Sequence, residues 1–90
     1  MRSKPLVSAQ IRAARALIRW SAEDLAEAAA LGLATIRRAE NSEEETSMTV
    51  ANDLAVRRAL ETEGVEFIEE DGGGPGVRLR QRRRAKSPQR

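Results

Sequence analysis

Ninety residues suffice for one domain, and a chain of that length buries only about 60–70% of the surface it exposes when unfolded; with 40% hydrophobic and 33% charged residues, and Trp20 and Phe67 its sole aromatics, it needs a compact core of Leu, Ile, Val and Ala. Cysteine and histidine are absent, which excludes a disulfide framework and thiolate or imidazole metal sites, removes the usual general base near neutral pH, and argues against an enzyme. The net charge of +2 conceals segregation: residues 1–20 carry five basic side chains and no acid, 21–70 four basic and thirteen acidic, and 71–90 seven basic and one acidic, a pattern that hints at a polyanionic partner.

Over residues 8–20 the apolar side chains Ile11, Ala14, Leu17 and Ile18 recur at three- and four-residue spacing, which predicts a helix with one buried face. Trp20 ends that face and reads as core packing. Ser21 offers an oxygen to the free amides of a second helix over about 22–29, with Asp24 three residues later favouring its dipole and Leu25, Ala26 and Ala29 on one face. After a break at residues 30–32, helical periodicity resumes at Leu33, Ile36 and Ala39, so two short helices flank a tight turn. Residues 41–47 have no apolar side chain and read as a surface loop. Ser47 or Thr49 then caps a fourth helix carrying Val50, Leu54, Val56, Ala59 and Leu60, which stops at Gly64.

Beyond Gly64, Val65 and Phe67 alternate with Glu66 and Ile68, the turn-forming run DGGGPG follows, and Val77 to Arg80 make a second strand, so a β-hairpin is expected. The glycine run is no phosphate-binding loop, because neither a lysine-serine pair nor a helix follows it. The last ten residues, QRRRAKSPQR, hold no core-forming side chain and are expected to be disordered, serving either to add sequence-independent affinity for a polyanion or only to keep the protein soluble. The expected organisation is an N-terminal arm over 1–7, a four-helix domain over 8–64, the hairpin over 65–80 and the basic tail over 81–90. No apolar run approaches the roughly 20 residues that span a bilayer, and residues 1–9 lack the apolar stretch of a signal peptide, so a cytoplasmic, nucleoid-associated protein is expected.

The segment QIRAARALIRWSAEDLAEAAALGLATIRRAEN, residues 10–41, resembles the helix-turn-helix of the XRE family of phage-repressor-like and Cro-like regulators. Five elements carry the resemblance: the basic first helix with Arg15, the boundary Trp20-Ser21, the pair Leu25-Ala26, Ile36 ten residues after Ala26, and Glu40 four after that. Similarity to small bacterial regulators of this group continues through RRALETEGVEFIEEDGGGPGVRLR. The resemblance implies a mainly α, four-helix phage-repressor-like domain whose recognition helix, 33–40, enters the major groove of double-stranded DNA to regulate transcription.

Carried across residue by residue, the resemblance puts Leu33, Ala34 and Arg38 at base-reading positions, and Ser21, Ala22, Thr35, Arg37 and Asn41 at or near phosphate. Arg38 is the leading candidate, since its planar fork matches both acceptors of a guanine edge. Arg15 and Glu40 match a charged pair that braces the first helix against the recognition helix. Three positions depart from the family pattern: Ala22 stands where many relatives have glutamine, Ala30 where they tend to have glycine, and Gly32 where a serine or threonine usually caps the recognition helix. The acids Glu43, Glu44 and Glu45 would repel phosphate if they faced it. The expected partners are duplex DNA and a second copy of the chain on an inverted repeat; no cofactor, metal or membrane is expected. The alternative is a protein-binding antitoxin or antiactivator that retains the fold.

Overall fold

A computed structural model describes residues 5–43, 45–69 and 72–81. Four helices, α1 Ser8–Ile18, α2 Ala22–Ala29, α3 Leu33–Glu40 and α4 Val50–Thr62, precede two strands, β1 Val65–Ile68 and β2 Gly76–Leu79. Local chemistry sets most of the boundaries. At α2 the Ser21 hydroxyl accepts from the Asp24 amide at 3.0 Å while the Asp24 carboxylate accepts from the Ser21 amide at 2.9 Å, a reciprocal cap. Thr49, rather than Ser47, caps α4 by accepting from the Asn52 amide at 3.1 Å. The chain leaves α2 through Ala30, whose φ of 60° is left-handed, with the Leu31 amide reaching back to the Ala26 carbonyl at 2.9 Å. Gly64, at φ 100°, turns the chain from α4 into β1, a conformation that a side chain would strain.

The core contains Ile11, Ala14 and Ile18 of α1, Leu25, Ala26 and Ala29 of α2, Ile36 and Ala39 of α3, Val56 and Leu60 of α4, and Val65 of β1. Trp20 is half-buried against it, as expected. Three apolar residues expected inside lie outside: Leu17 is 38% exposed, Leu54 44% and Val50 64%. On α1 the buried face is centred on Ser8, Ile11, Ala14 and Ile18, so Leu17, about 100° round the helix from Ile18, falls past its edge. On α4 the buried face is Asp53, Val56, Arg57 and Leu60, which leaves Val50 at the helix start and turns Leu54 outward. The two polar members of that face could not be inferred from hydrophobic periodicity.

Residues 5–7, expected as part of an arm, are instead built into the fold. Leu6 is 1% exposed, its carbonyl accepts from the Thr46 amide at 3.2 Å, and its amide donates to Asp53 Oδ1 at 3.3 Å. Val7 bridges Glu45. Residues 1–4 and the basic tail from 82 onward lie outside the described residues. The strands pair antiparallel in the register Val65↔Leu79, Glu66↔Arg78, Phe67↔Val77 and Ile68↔Gly76. Val65, Phe67, Val77 and Leu79 therefore share the face packed on the helices. Gln10 Nε2 ties α1 to the hairpin through the Gly76 carbonyl at 3.0 Å, and the Arg57 guanidinium lies 5.1 Å from the Phe67 ring centroid. Across the exposed face, the Arg78 hydrogen bond holds the Glu66 carboxyl below its ordinary value.

Two outcomes are expected from substitutions in this frame. Ala30 is exposed, so Ala30→Gly removes the left-handed strain of a Cβ, about 1–2 kcal/mol, at the cost of about 0.4–1 kcal/mol of unfolded-state entropy. Thermal unfolding should show a net gain of about 0.5–1 kcal/mol, and a lower melting temperature would contradict the assignment of strain. Burial pushes the Asp53 carboxyl above its ordinary value of 3.8, despite the Leu6 amide and the Arg57 charge that favour its ionised form. The folded state therefore binds this proton more tightly than the unfolded state. Asp53 stabilises the fold more as the pH falls from the raised value toward 3.8 and contributes least above that window. Asp53→Asn keeps an acceptor for Leu6 and carries no charge, so urea titrations should find it at least as stable as the parent at pH 7 and lacking the parent's relative gain on acidification.

Candidate nucleic-acid interface

The α3 sequence LATIRRAE divides by helical period into an inward set, Ile36, Ala39 and Glu40, and an outward set containing Ala34, Arg37 and Arg38. α2 contributes Ala26, only 6% exposed, to the core that the inward set enters. The turn of Ala30, Leu31 and Gly32 between them is closed without a side-chain cap. The Gly32 carbonyl accepts from the Thr35 amide at 3.1 Å and the Ile36 amide at 3.3 Å, and Gly32 has no side chain to cap α3. The positive end of the α3 dipole is thus presented without a capping side chain.

The C-terminal end of α3 is held by three donors from α1. The Ser8 hydroxyl, itself 1% exposed, donates to the Ala39 carbonyl, and the Arg12 guanidinium donates to the Glu40 carbonyl. Arg15 pairs with the Glu40 carboxylate through two nearly parallel bonds, Nε to Oε2 at 2.7 Å and Nη2 to Oε1 at 2.9 Å, and spends its remaining Nη1 on the Trp20 carbonyl at 2.8 Å. The hydrogen bond to Glu40 raises the Arg15 pKa further, against the opposing effect of burial. Both arginines lie at the negative end of the α3 dipole, where cations are favoured. The expected brace between Arg15 and Glu40 therefore has the geometry of a bidentate pair, and Ser8 and Arg12 extend it. The roles of Ser8 and Arg12 depend on carbonyls more than 25 residues away in the chain, so the sequence carried no local signal of them.

The outward residues have different surroundings. The Arg38 side chain is exposed, and its guanidinium makes no hydrogen bond or ion pair with any described residue. Ala34 and Asn41 are exposed as expected, and Thr35 is half-buried. Leu33, expected to face a ligand, is half-buried and packed against the core. Ser21 is exposed, but its hydroxyl already accepts the Asp24 amide. Ala22 is 8% exposed with its methyl in the core, so it offers a ligand only its backbone amide at the start of α2. Arg37 is not free, since its Nη2 lies 3.4 Å from Glu23 Oε2 in the first turn of α2. Glu45, of the acidic run expected to oppose phosphate, bridges Val7 and lines a cleft with Arg57 and Phe67. That cleft encloses about 60 Å³, room for about two water molecules, far below the roughly 300–1,000 Å³ of a small-molecule site.

Among the described residues, no helix is long and apolar enough to cross a membrane. Compared with known proteins, the chain matches no family model, no curated protein and no solved structure.

The brace itself is testable. Glu40 is 9% and Arg15 22% exposed at the side chain, between the limits of surface and fully buried pairs. Glu40→Ala should destabilise the fold by about 2 kcal/mol by leaving Arg15 without its carboxylate, and Glu40→Gln, which keeps an acceptor, by about half of that. Urea denaturation checks both values, and a loss under about 0.5 kcal/mol for the alanine variant would mean that the pair braces nothing.

Proposed function

We propose that this chain is a helix-turn-helix regulator of the phage-repressor-like type, which binds duplex DNA with α3 in the major groove. The single observation that carries the reading is the arrangement of α2 and α3. They are two eight-residue helices joined by a three-residue turn and packed on each other, with Ala26 and Ile36 buried in the shared core, α3 clamped at its C-terminal end and its arginines directed outward. The five matching elements of the XRE pattern support the same reading.

In this reading Arg38 donates in bidentate fashion to the O6 and N7 of a guanine, a contact worth about 1–3 kcal/mol of discrimination. Ala34 meets a thymine methyl, and Leu33, half-buried, contributes at most its edge. The Ser21 hydroxyl, the Ala22 amide, Thr35, Arg37 and Asn41 contact the flanking phosphates and fix the register without reading sequence. Two copies bind an inverted repeat, so that the symmetry of the operator matches that of the dimer. The second reading, a protein-binding antitoxin or antiactivator on the same fold, is favoured by Val50 and Leu54, two large apolar side chains exposed one turn apart on α4.

Selection of binding sites from a random duplex library decides between them. The parent chain is expected to enrich an inverted repeat, Arg38→Ala to lose that enrichment while keeping residual binding, and a chain ending at Arg80 to enrich the same repeat with weaker affinity and a shallower salt dependence. Retention of DNA without enrichment by the parent would remove the sequence-specific reading and favour a protein partner.

A further inference from the structure

We infer that Glu23 tunes sequence-independent affinity: its carboxylate competes with DNA phosphate for Arg37 and so keeps that part of binding weak. The inference rests on the DNA-binding reading and adds to it a residue to which that reading gave no role. Glu23 sits in the first turn of α2, and Arg37 is on the outward face of α3 next to Arg38. Their charged atoms are 3.4 Å apart, and the two side chains are 63% and 58% exposed. A pair that exposed contributes little to stability, since solvent screens it and two long side chains lose freedom in forming it. Its effect falls on the ligand instead.

A duplex docked on α3 brings phosphates to the edge of the helix, where Arg37 is the nearest assigned cation. To reach one, the guanidinium has to leave Glu23 or share itself, and in either case a carboxylate remains beside the incoming phosphate. The site thereby gains less from its Arg37 contact and adds one repulsion, both independent of base sequence. Arg38 makes no ion pair with a described residue and keeps its full contact. Affinity for operator and for random DNA is lowered alike, and the gap between them rests on Arg38.

Glu23→Gln removes the charge and keeps an exposed polar side chain of the same length. Its effect is read by fluorescence anisotropy on a random-sequence 24-base-pair duplex over a series of salt concentrations, beside Arg37→Ala and the double variant, with thermal melts to confirm equal folding. The single variant should bind about five- to tenfold more tightly than the parent, with a salt slope steeper by about one unit, as expected for one regained phosphate contact. In the Arg37→Ala background the same substitution should recover only the smaller gain from lost repulsion, with no change of slope. Affinity and slope within error of the parent, while Arg38→Ala still abolishes enrichment in the site selection, would overturn the role of Glu23 and leave the DNA reading intact. Failure of every variant to bind any duplex would remove the DNA reading, and this inference with it.

Discussion

The orientation of α3 depends on what α1 does at its far end. In a helix of eight residues half of the backbone N–H and C=O groups are terminal, so its last carbonyls are a liability unless something donates to them. Ser8 and Arg12 supply those donors, and the bidentate bonds of Arg15 to the Glu40 carboxylate fix the helix in rotation as well as position. Ala39 and Ile36 seal the same contact from the apolar side. With one end and one face of α3 held, Arg38 is displayed from a fixed helix, as the proposed base contact would need and a loop would not provide.

The opposite end of α3 is arranged differently. Gly32 offers no cap, and the turn before it places a non-glycine residue, Ala30, in the left-handed region. Both choices give up a little stability where α2 and α3 meet the surface proposed to contact DNA. Remote from that surface, the buried Leu6 is threaded between the 45–46 segment and α4, and its amide ends on Asp53. Asp53 illustrates the balance: its burial opposes ionisation, while the amide and Arg57 favour it. Chain segments far apart in sequence, the first residues and α4, are thereby tied together by one carboxylate.

Charge is distributed in the same divided manner. Most cations near the core are engaged: Arg15 by Glu40, Arg12 by a carbonyl, and Arg57 over Phe67. On the outer face of α3 two adjacent arginines are treated differently, one paired across the turn with α2 and one exposed with no ion pair to any described residue. That asymmetry, between neighbours of identical chemistry, is a product of packing: successive residues on a helix are separated by about 100°, so only Arg37 points back toward the start of α2.

Several features were legible in the residues themselves. The spacing of Ile11, Ala14 and Ile18, the Ser21–Asp24 cap, the turn around Ala30 to Gly32 and the alternation from Val65 determined which elements form, because each is a local matter of period, capping or turn chemistry. The pairing of Arg15 with Glu40 was legible only through the family resemblance. What the tertiary structure decided was everything that depends on which face meets which. It exposed Leu17, Val50 and Leu54, turned Ala22 and half of Leu33 inward, drew Leu6 and Ser8 into the core, and set Glu23 against Arg37. Periodicity identifies the apolar stripe of a helix but not its edges, and contacts between residues 14, 31 or 47 positions apart exist only after the chain has packed.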